Sequence, residues 1–252
     1  MRIEVGVVAG VAALTLAACS GSTGPANTGR LSLQLSSAGQ AVSAAPAAVA
    51  DELIITDVQV VARRIRLERA PGTCPADSTA GASSASGEGE HEEHTSECAD
   101  VRLDPMVLEP PVDSSAHTLI SVDLPEGTYR EVKVQIHKLT DAPADSALRA
   151  ASPGLSNASV LVTGSFNGTD FTFTSGLTSE AEIELPTPVE VTAGQPAAVT
   201  LAIDLGSWFR GASGELLNPI DPSQQIRSRI EQNIRRSFHA FEDQDHDGHP
   251  DH

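Results

Sequence analysis

The residues with the clearest chemical potential stand near the C-terminus, in Asp243-Gln-Asp245-His-Asp247-Gly248-His-Pro-Asp251. Counted from Asp243, carboxylates fall at positions one, three and five and glycine at position six. That spacing matches the first half of a calcium loop, where alternate carboxylates converge on one hard cation and glycine makes the sharp turn. Asp251 falls at position nine, so Asp243, Asp245, Asp247 and Asp251 are the expected ligands and calcium the expected cofactor. The bidentate Glu of a full loop, at position twelve, would lie beyond His252, so weak binding is expected. The plain alternative is a solvated acidic tail. Histidines at 239, 246, 249 and 252 also offer imidazoles for transition-metal capture.

A second group of metal-ligating side chains is Glu88-Gly-Glu-His91-Glu-Glu-His94. It falls one residue short of the zinc-protease spacing, and its surroundings are Gly- and Ser-rich rather than helical, so adventitious metal binding through His91 and His94 is the most it suggests. Cys74 and Cys98 bracket this stretch and form the default disulfide of an exported chain; a zinc site would need two further ligands.

The third cysteine, Cys19, has a different setting. Met1-Arg2 supplies a basic start, and Val5 to Leu16 an almost uncharged apolar run, which is the pattern of an export signal. The run is shorter than the ~20 residues that span a bilayer as a helix. It ends in Leu16-Ala17-Ala18-Cys19, which resembles the lipobox of bacterial lipoproteins. The resemblance implies cleavage before Cys19, acylation of that cysteine and membrane attachment through two or three acyl chains, enough for lasting anchorage. Ser20, in place of Asp, implies the outer membrane in a cell with two membranes.

Composition narrows the exported part. Lys and Arg number 16 against 34 Asp and Glu, a formal net charge of −18 that disfavours nucleic-acid partners. Aromatic residues are 3% of the chain, too few for stacking platforms of the kind that grip single strands.

The elements that must position these groups read as strands. Leu31, Leu33 and Leu35 alternate with Ser32, Gln34 and Ser36. Over Leu53 to Arg69 the apolar phase shifts from Ile54, Val58, Val60 and Ala62 to Ile65 and Leu67, which predicts a β-bulge or a short turn near residues 61 to 64. Arg63, Arg64, Arg66 and Arg69 cluster there as a solvated face or an anion site. Further strands are expected over Val101 to Leu108, Thr118 to Leu124, Tyr129 to Lys138, Ser159 to Thr163, Asp170 to Thr174, Glu180 to Leu185 and Val199 to Leu205. Pro125-Glu-Gly127 and Asn167-Gly168 carry turn chemistry and predict two hairpins. Asp221-Pro222 then opens an amphipathic helix with Ile226, Ile230, Ile234, Phe238 and Phe241 as its stripe. Its arginines suit a membrane surface or partner, and its stripe suits packing on the sandwich with Trp208 and Phe209 as contacts.

Leu124-Pro-Glu-Gly-Thr-Tyr-Arg-Glu-Val132 with Val134 and Ile136, and Leu139-Thr-Asp-Ala-Pro143, resemble a family of uncharacterised bacterial lipoproteins. The resemblance implies a β-sandwich over roughly 30 to 205 and no particular activity.

The expected organisation is a lipoprotein signal peptide (1–18), a flexible tether (19–29), a mainly β, antiparallel sandwich (30–205) carrying a long disordered insertion (71–100), a linker and C-terminal amphipathic helix (206–241), and an Asp-rich tail (242–252). No nucleophile elbow, phosphate loop or spaced triad is present, so a non-enzymatic binding or structural role at the cell envelope is expected, with an unknown protein or glycan partner. The alternative is an envelope hydrolase with an unrecognised carboxylate site.

Overall fold

A computed structural model describes residues 28–38, 52–71, 101–113 and 115–251. The expected signal peptide, the lipid-bearing Cys19, most of the tether and of the insertion with Cys74, Cys98, His91 and His94, and His252 lie outside the described residues.

The chain runs through strands β1 (Thr28–Ala38), β2 (Leu53–Arg69), β3 (Val101–Leu103), β4 (Met106–Leu108), β5 (Ala116–Pro125) and β6 (Gly127–Ile136). A short helix α1 (Ser146–Ala151) precedes β7 (Val160–Phe166), β8 (Thr169–Ser175), β9 (Ser179–Val191) and β10 (Pro196–Asp204). Helices α2 (Leu205–Trp208) and α3 (Gln224–Arg236) and strand β11 (Phe238–Glu242) complete it. The smaller sheet has the order β11-β10-β1-β5, and the larger β8-β7-β2-β6-β9, with β3 and β4 also paired to β2.

Period-two patterning explains how these sheets close on one core. Leu31, Leu33 and Leu35 of β1 and Val199, Leu201 and Ile203 of β10 point inward and are fully buried, as are Val132, Val134 and Ile136 of β6. All nine belong to a single apolar cluster shared by both sheets, the arrangement of a β-sandwich. The pairing is mixed rather than wholly antiparallel, because β1 runs parallel to β10, with Leu33 opposite Val199 and Leu35 opposite Leu201. Parallel neighbours need a long crossover, and here nearly the whole domain lies between them.

The bulge expected in β2 is present as a register shift between Ala62 and Arg64 against β6. A second shift, between Ile55 and Asp57 against β7, turns Ile54 outward to 42% exposure, so the phase expected for that residue fails. The Asn167-Gly168 hairpin joins β7 to β8, with φ of 51° and 75°, the left-handed values a tight two-residue turn requires.

The other expected hairpin is overturned. β5 pairs with β1 in the smaller sheet, whereas β6 pairs with β2 and β9 in the larger, so Pro125-Glu-Gly127 carries the chain from one sheet to the other. Tyr129, wholly buried, donates its hydroxyl to the Pro125 carbonyl four residues back at 2.9 Å. That is the arrangement of a tyrosine corner in Greek-key sandwiches. Arg69 fastens the corner: its Nε donates to the Tyr129 hydroxyl at 3.3 Å, its Nη2 to the Glu126 carbonyl at 3.0 Å, and its guanidinium stands 5.4 Å from the ring centroid.

The C-terminal helix is shorter than its apolar stripe suggests. Ser223, not Asp221, caps it, accepting the Ile226 N–H at 3.4 Å. It ends at Arg236, where the buried Ser237 hydroxyl donates to the Ile234 carbonyl at 2.9 Å and accepts Trp208 Nε1–H at 2.8 Å. Phe238 and Phe241 therefore lie on β11, antiparallel to β10, and the sandwich reaches past residue 205. Ile230 and Ile234 are buried, as the packing of α3 on the sandwich requires. Phe209 meets Phe171 and Phe173 edge-on at 5.9 and 5.8 Å, and Arg227 lies 5.1 Å over Phe173 while donating to the Thr174 carbonyl at 2.6 Å. Among the described residues no helix is long and apolar enough to cross a membrane.

Candidate metal centre

The tail is a folded loop held against the smaller sheet. Outward positions of β1 and β10 alternate with the leucines and valines and carry small or polar residues: Gln34, Ser36, Ala198, Thr200 and Ala202, all buried. Such a face admits another backbone closely. The loop after β11 uses it: Thr200 Oγ1 donates to Asp243 Oδ2 at 2.5 Å, and Gln34 Nε2 meets His246 Nδ1. Gly248, at φ 82°, lies so close to β5 that a Cβ there would stand 3.1 Å from that of Ala116.

Asp243 organises the loop from within. Its side chain is fully buried, and its oxygens also accept the N–H of Asp247 at 3.1 Å and of Gly248 at 3.0 Å. Asp245 Oδ1 accepts the same Asp247 N–H at 3.3 Å, and Asp247 Oδ1 accepts the His249 N–H at 2.7 Å. One carboxylate oxygen from each of Asp243, Asp245 and Asp247 lies within 4.8 Å of the others. Among the described residues no Lys or Arg forms an ion pair with any of the three. Three carboxylates thus face one another around a buried member with no counter-charge among the described residues, an arrangement that favours a bound cation.

Asp251, the fourth expected ligand, stands outside this group. Its Oδ2 accepts the Gln244 N–H at 2.7 Å and its own N–H donates to the Glu242 carbonyl at 3.3 Å, so it closes the base of the loop. A residue eight positions after Asp243 returns to the loop's start because the glycine turn reverses the chain, and there it meets backbone rather than the cluster. His246 is turned toward Gln34 by its positive φ of 63°. Sequence reasoning missed Thr200, Gln34 and Ala116 as the seat of the loop; the signal available was the run of small residues on the outward positions of two strands.

Three of the four arginines of the cluster are engaged within the fold, Arg69 at the corner and Arg63 and Arg66 in ion pairs, while Arg64 is exposed. Arg63 pairs with the buried Asp145, which also accepts the Thr140 N–H and hydroxyl at 2.7 and 2.6 Å. Burial works to raise the Asp145 carboxyl, but Thr140 and the Arg63 guanidinium outweigh it and hold the group below the usual range. Arg66 pairs with Glu180 at 3.5 Å.

A separate carboxylate group lies on the outer face of the larger sheet, where Glu68, Glu131 and Glu184 stand opposite one another on β2, β6 and β9. Lys133 Nζ reaches Glu68 at 2.9 Å, Glu182 at 3.3 Å and Glu131 at 3.7 Å. Burial and the neighbouring Glu68 charge push the Glu131 carboxyl up, whereas for Glu68 the contacts to Lys133 overcome burial and push it down. Opposed shifts in a carboxylate pair are a feature of acid–base sites, but here the pair lies on the face of a sheet with Lys133 between, which is the work of a counter-ion among like charges.

No family model matches the chain, and no curated protein or solved structure is significantly similar to it.

Proposed function

We propose that the chain is an exported lipoprotein, cleaved before Cys19 and held at the cell envelope by acyl chains on that cysteine, whose β-sandwich serves a non-enzymatic binding or structural role. In this reading the loop over residues 243–251 binds calcium, and the ion secures that loop against the smaller sheet. The observation that carries the calcium assignment is the buried Asp243 carboxylate, without a basic partner among the described residues, beside those of Asp245 and Asp247. The donor set is all oxygen, which suits hard calcium and not the nitrogen and sulfur preference of zinc. The export assignment rests on the basic start, apolar run and Leu16-Ala-Ala-Cys19.

Calorimetric titration with calcium and then zinc, on the chain and on a D243N/D245N/D247N variant, tests the metal. Heat with calcium that the variant loses is expected; no heat from the intact protein removes calcium from the proposal. Labelled palmitate tests the anchor, since incorporation and membrane fractionation should both vanish in C19A. Labelling that persists in that variant would overturn the attachment site.

A further inference from the structure

Between α3 and the loop over residues 210–217 lies an open cavity of about 340 Å³, within the roughly 300–1,000 Å³ of small-ligand sites. Its helical wall carries Gln225, Arg229 and Gln232, one stripe at spacings of four and three, and Leu217 and Ile226 supply apolar surface. The opposite wall carries Glu215.

Both walls are firmly built. Asn233 Nδ2 donates to the carbonyls of Ser207, Trp208 and Arg210 at 3.0, 3.0 and 2.8 Å, tying the loop's origin to the helix. The Gly211 N–H donates to the Glu215 carbonyl at 2.8 Å, and Arg210 and Leu216 form a β-bridge. The Glu215 side chain is folded in, its Oε2 accepting the Ser213 N–H at 3.0 Å. It lies over Gly211 so closely that a Cβ at 211 would fall 1.9 Å from Oε1. Glycine at 211 is what leaves room for the carboxylate.

Arg229 has no comparable structural task. Helix α3 holds four arginines and one glutamate, a net charge of +3, on a chain whose formal net charge is −18. Arg227 is engaged with Phe173 and Thr174, and Arg235 and Arg236 occupy the last turn, where they complement the helix dipole. Arg229 is mid-helix and lines the cavity from its solvent-exposed side, as do Gln225, Gln232 and Glu215, and it has no ion pair or side-chain hydrogen bond among the described residues. A guanidinium flanked by two primary amides matches an oxyanion, which it can bind in bidentate fashion. Glu215 across the cavity would repel a bare anion and attract an ammonium group. We infer that the cavity binds a small zwitterion, its carboxylate or phosphate on Arg229, Gln225 and Gln232 and its ammonium on Glu215.

The probes are O-phosphoethanolamine and glycylglycine as zwitterions and inorganic phosphate as a bare anion, titrated calorimetrically into the purified C19A chain. One of the zwitterions should bind with a dissociation constant on the order of 1 mM or tighter. R229Q should weaken it at least about tenfold, the scale of one charge-assisted contact. E215Q should abolish the preference for phosphoethanolamine or glycylglycine over phosphate. If phosphoethanolamine is the ligand, cosedimentation with phosphatidylethanolamine vesicles assigns a lipid headgroup, and its absence assigns a free solute. Binding of neither zwitterion, or equal binding by wild type and an R229Q chain of unchanged Tm, overturns the inference.

Discussion

Asp243→Asn separates the two tasks of that side chain, holding the loop together and carrying charge. Oδ2 accepts from the Thr200 hydroxyl and the Gly248 N–H, and Oδ1 from the Asp247 N–H. An asparagine with its carbonyl oxygen in the Oδ2 position keeps the first two. The Asp247 N–H loses Oδ1, faces the amide Nδ2 donor in its place, and retains Asp245 Oδ1 at 3.3 Å. The cost without metal is then one partly replaced hydrogen bond and one donor–donor contact, about 1–2 kcal/mol, offset by removal of a buried charge facing two other carboxylates. With calcium present the balance changes. A ligand at a hundred times its Kd stabilises the native state by about 2.7 kcal/mol, which for a chain of this size is roughly 5–10 °C in Tm. The variant lacks one charged oxygen and should lose most of that gain. Melting curves in EDTA and across a calcium series should show wild type rising by that amount, while D243N starts within a few degrees of it and barely moves. An equal calcium shift in both chains, or no shift in wild type, would refute the reasoning. A D243N chain about 3 kcal/mol or more weaker in EDTA would show that the carboxylate is there to hold the loop.

Two predictions concern the scaffold that presents the loop. Tyr129→Phe keeps the ring and its cation–π contact with Arg69 but removes the hydroxyl that donates to the Pro125 carbonyl and accepts from Arg69 Nε, so urea unfolding should show a loss of about 1–3 kcal/mol with an unchanged slope; a loss under about 0.5 kcal/mol would mean the corner does not hold the arch. Asp145 has a folded pKa below its unfolded value, so its contribution is full above the ordinary Asp value of about 4 and disappears as pH falls through the depressed value. The stability gap between wild type and D145N, measured by urea unfolding from neutral pH downward, should therefore be constant above about pH 5 and narrow on acidification; a gap independent of pH would contradict the Arg63–Asp145 account.

Much of the architecture was legible because a strand facing a core writes its burial in alternate residues. Leu31, Leu33 and Leu35, Val132, Val134 and Ile136, and Val199, Leu201 and Ile203 all face inward as their spacing implies. The bulge in β2 was legible as a slipped phase and the β7–β8 turn as Asn-Gly, since both are local responses of the backbone. Local pattern could not reveal which sheet a strand joins. Pro125-Glu-Gly127 specifies a bend, but only the buried Tyr129 and the pairing of β5 with β1 make it an arch between sheets. The helical spacing from Ile226 continued to Phe238 and Phe241 only by coincidence, since on β11 residues three apart face opposite sides, Phe238 joining the core with Ala240 while Phe241 is buried on the other face; Ser237, held by Trp208, ends the helix before them.

The sequence by itself determined a mainly β chain with a period-two core and a loop whose carboxylates and glycine are spaced to converge, because periodicity and turn chemistry act over a few residues. Only the tertiary structure decided that Asp243 is buried, that Thr200, Gln34 and Ala116 form the seat of its loop, and that Asp251 closes the base instead of joining the cluster. Those outcomes depend on strands far apart in the chain lying side by side, with small outward side chains that let a fourth segment approach their backbone.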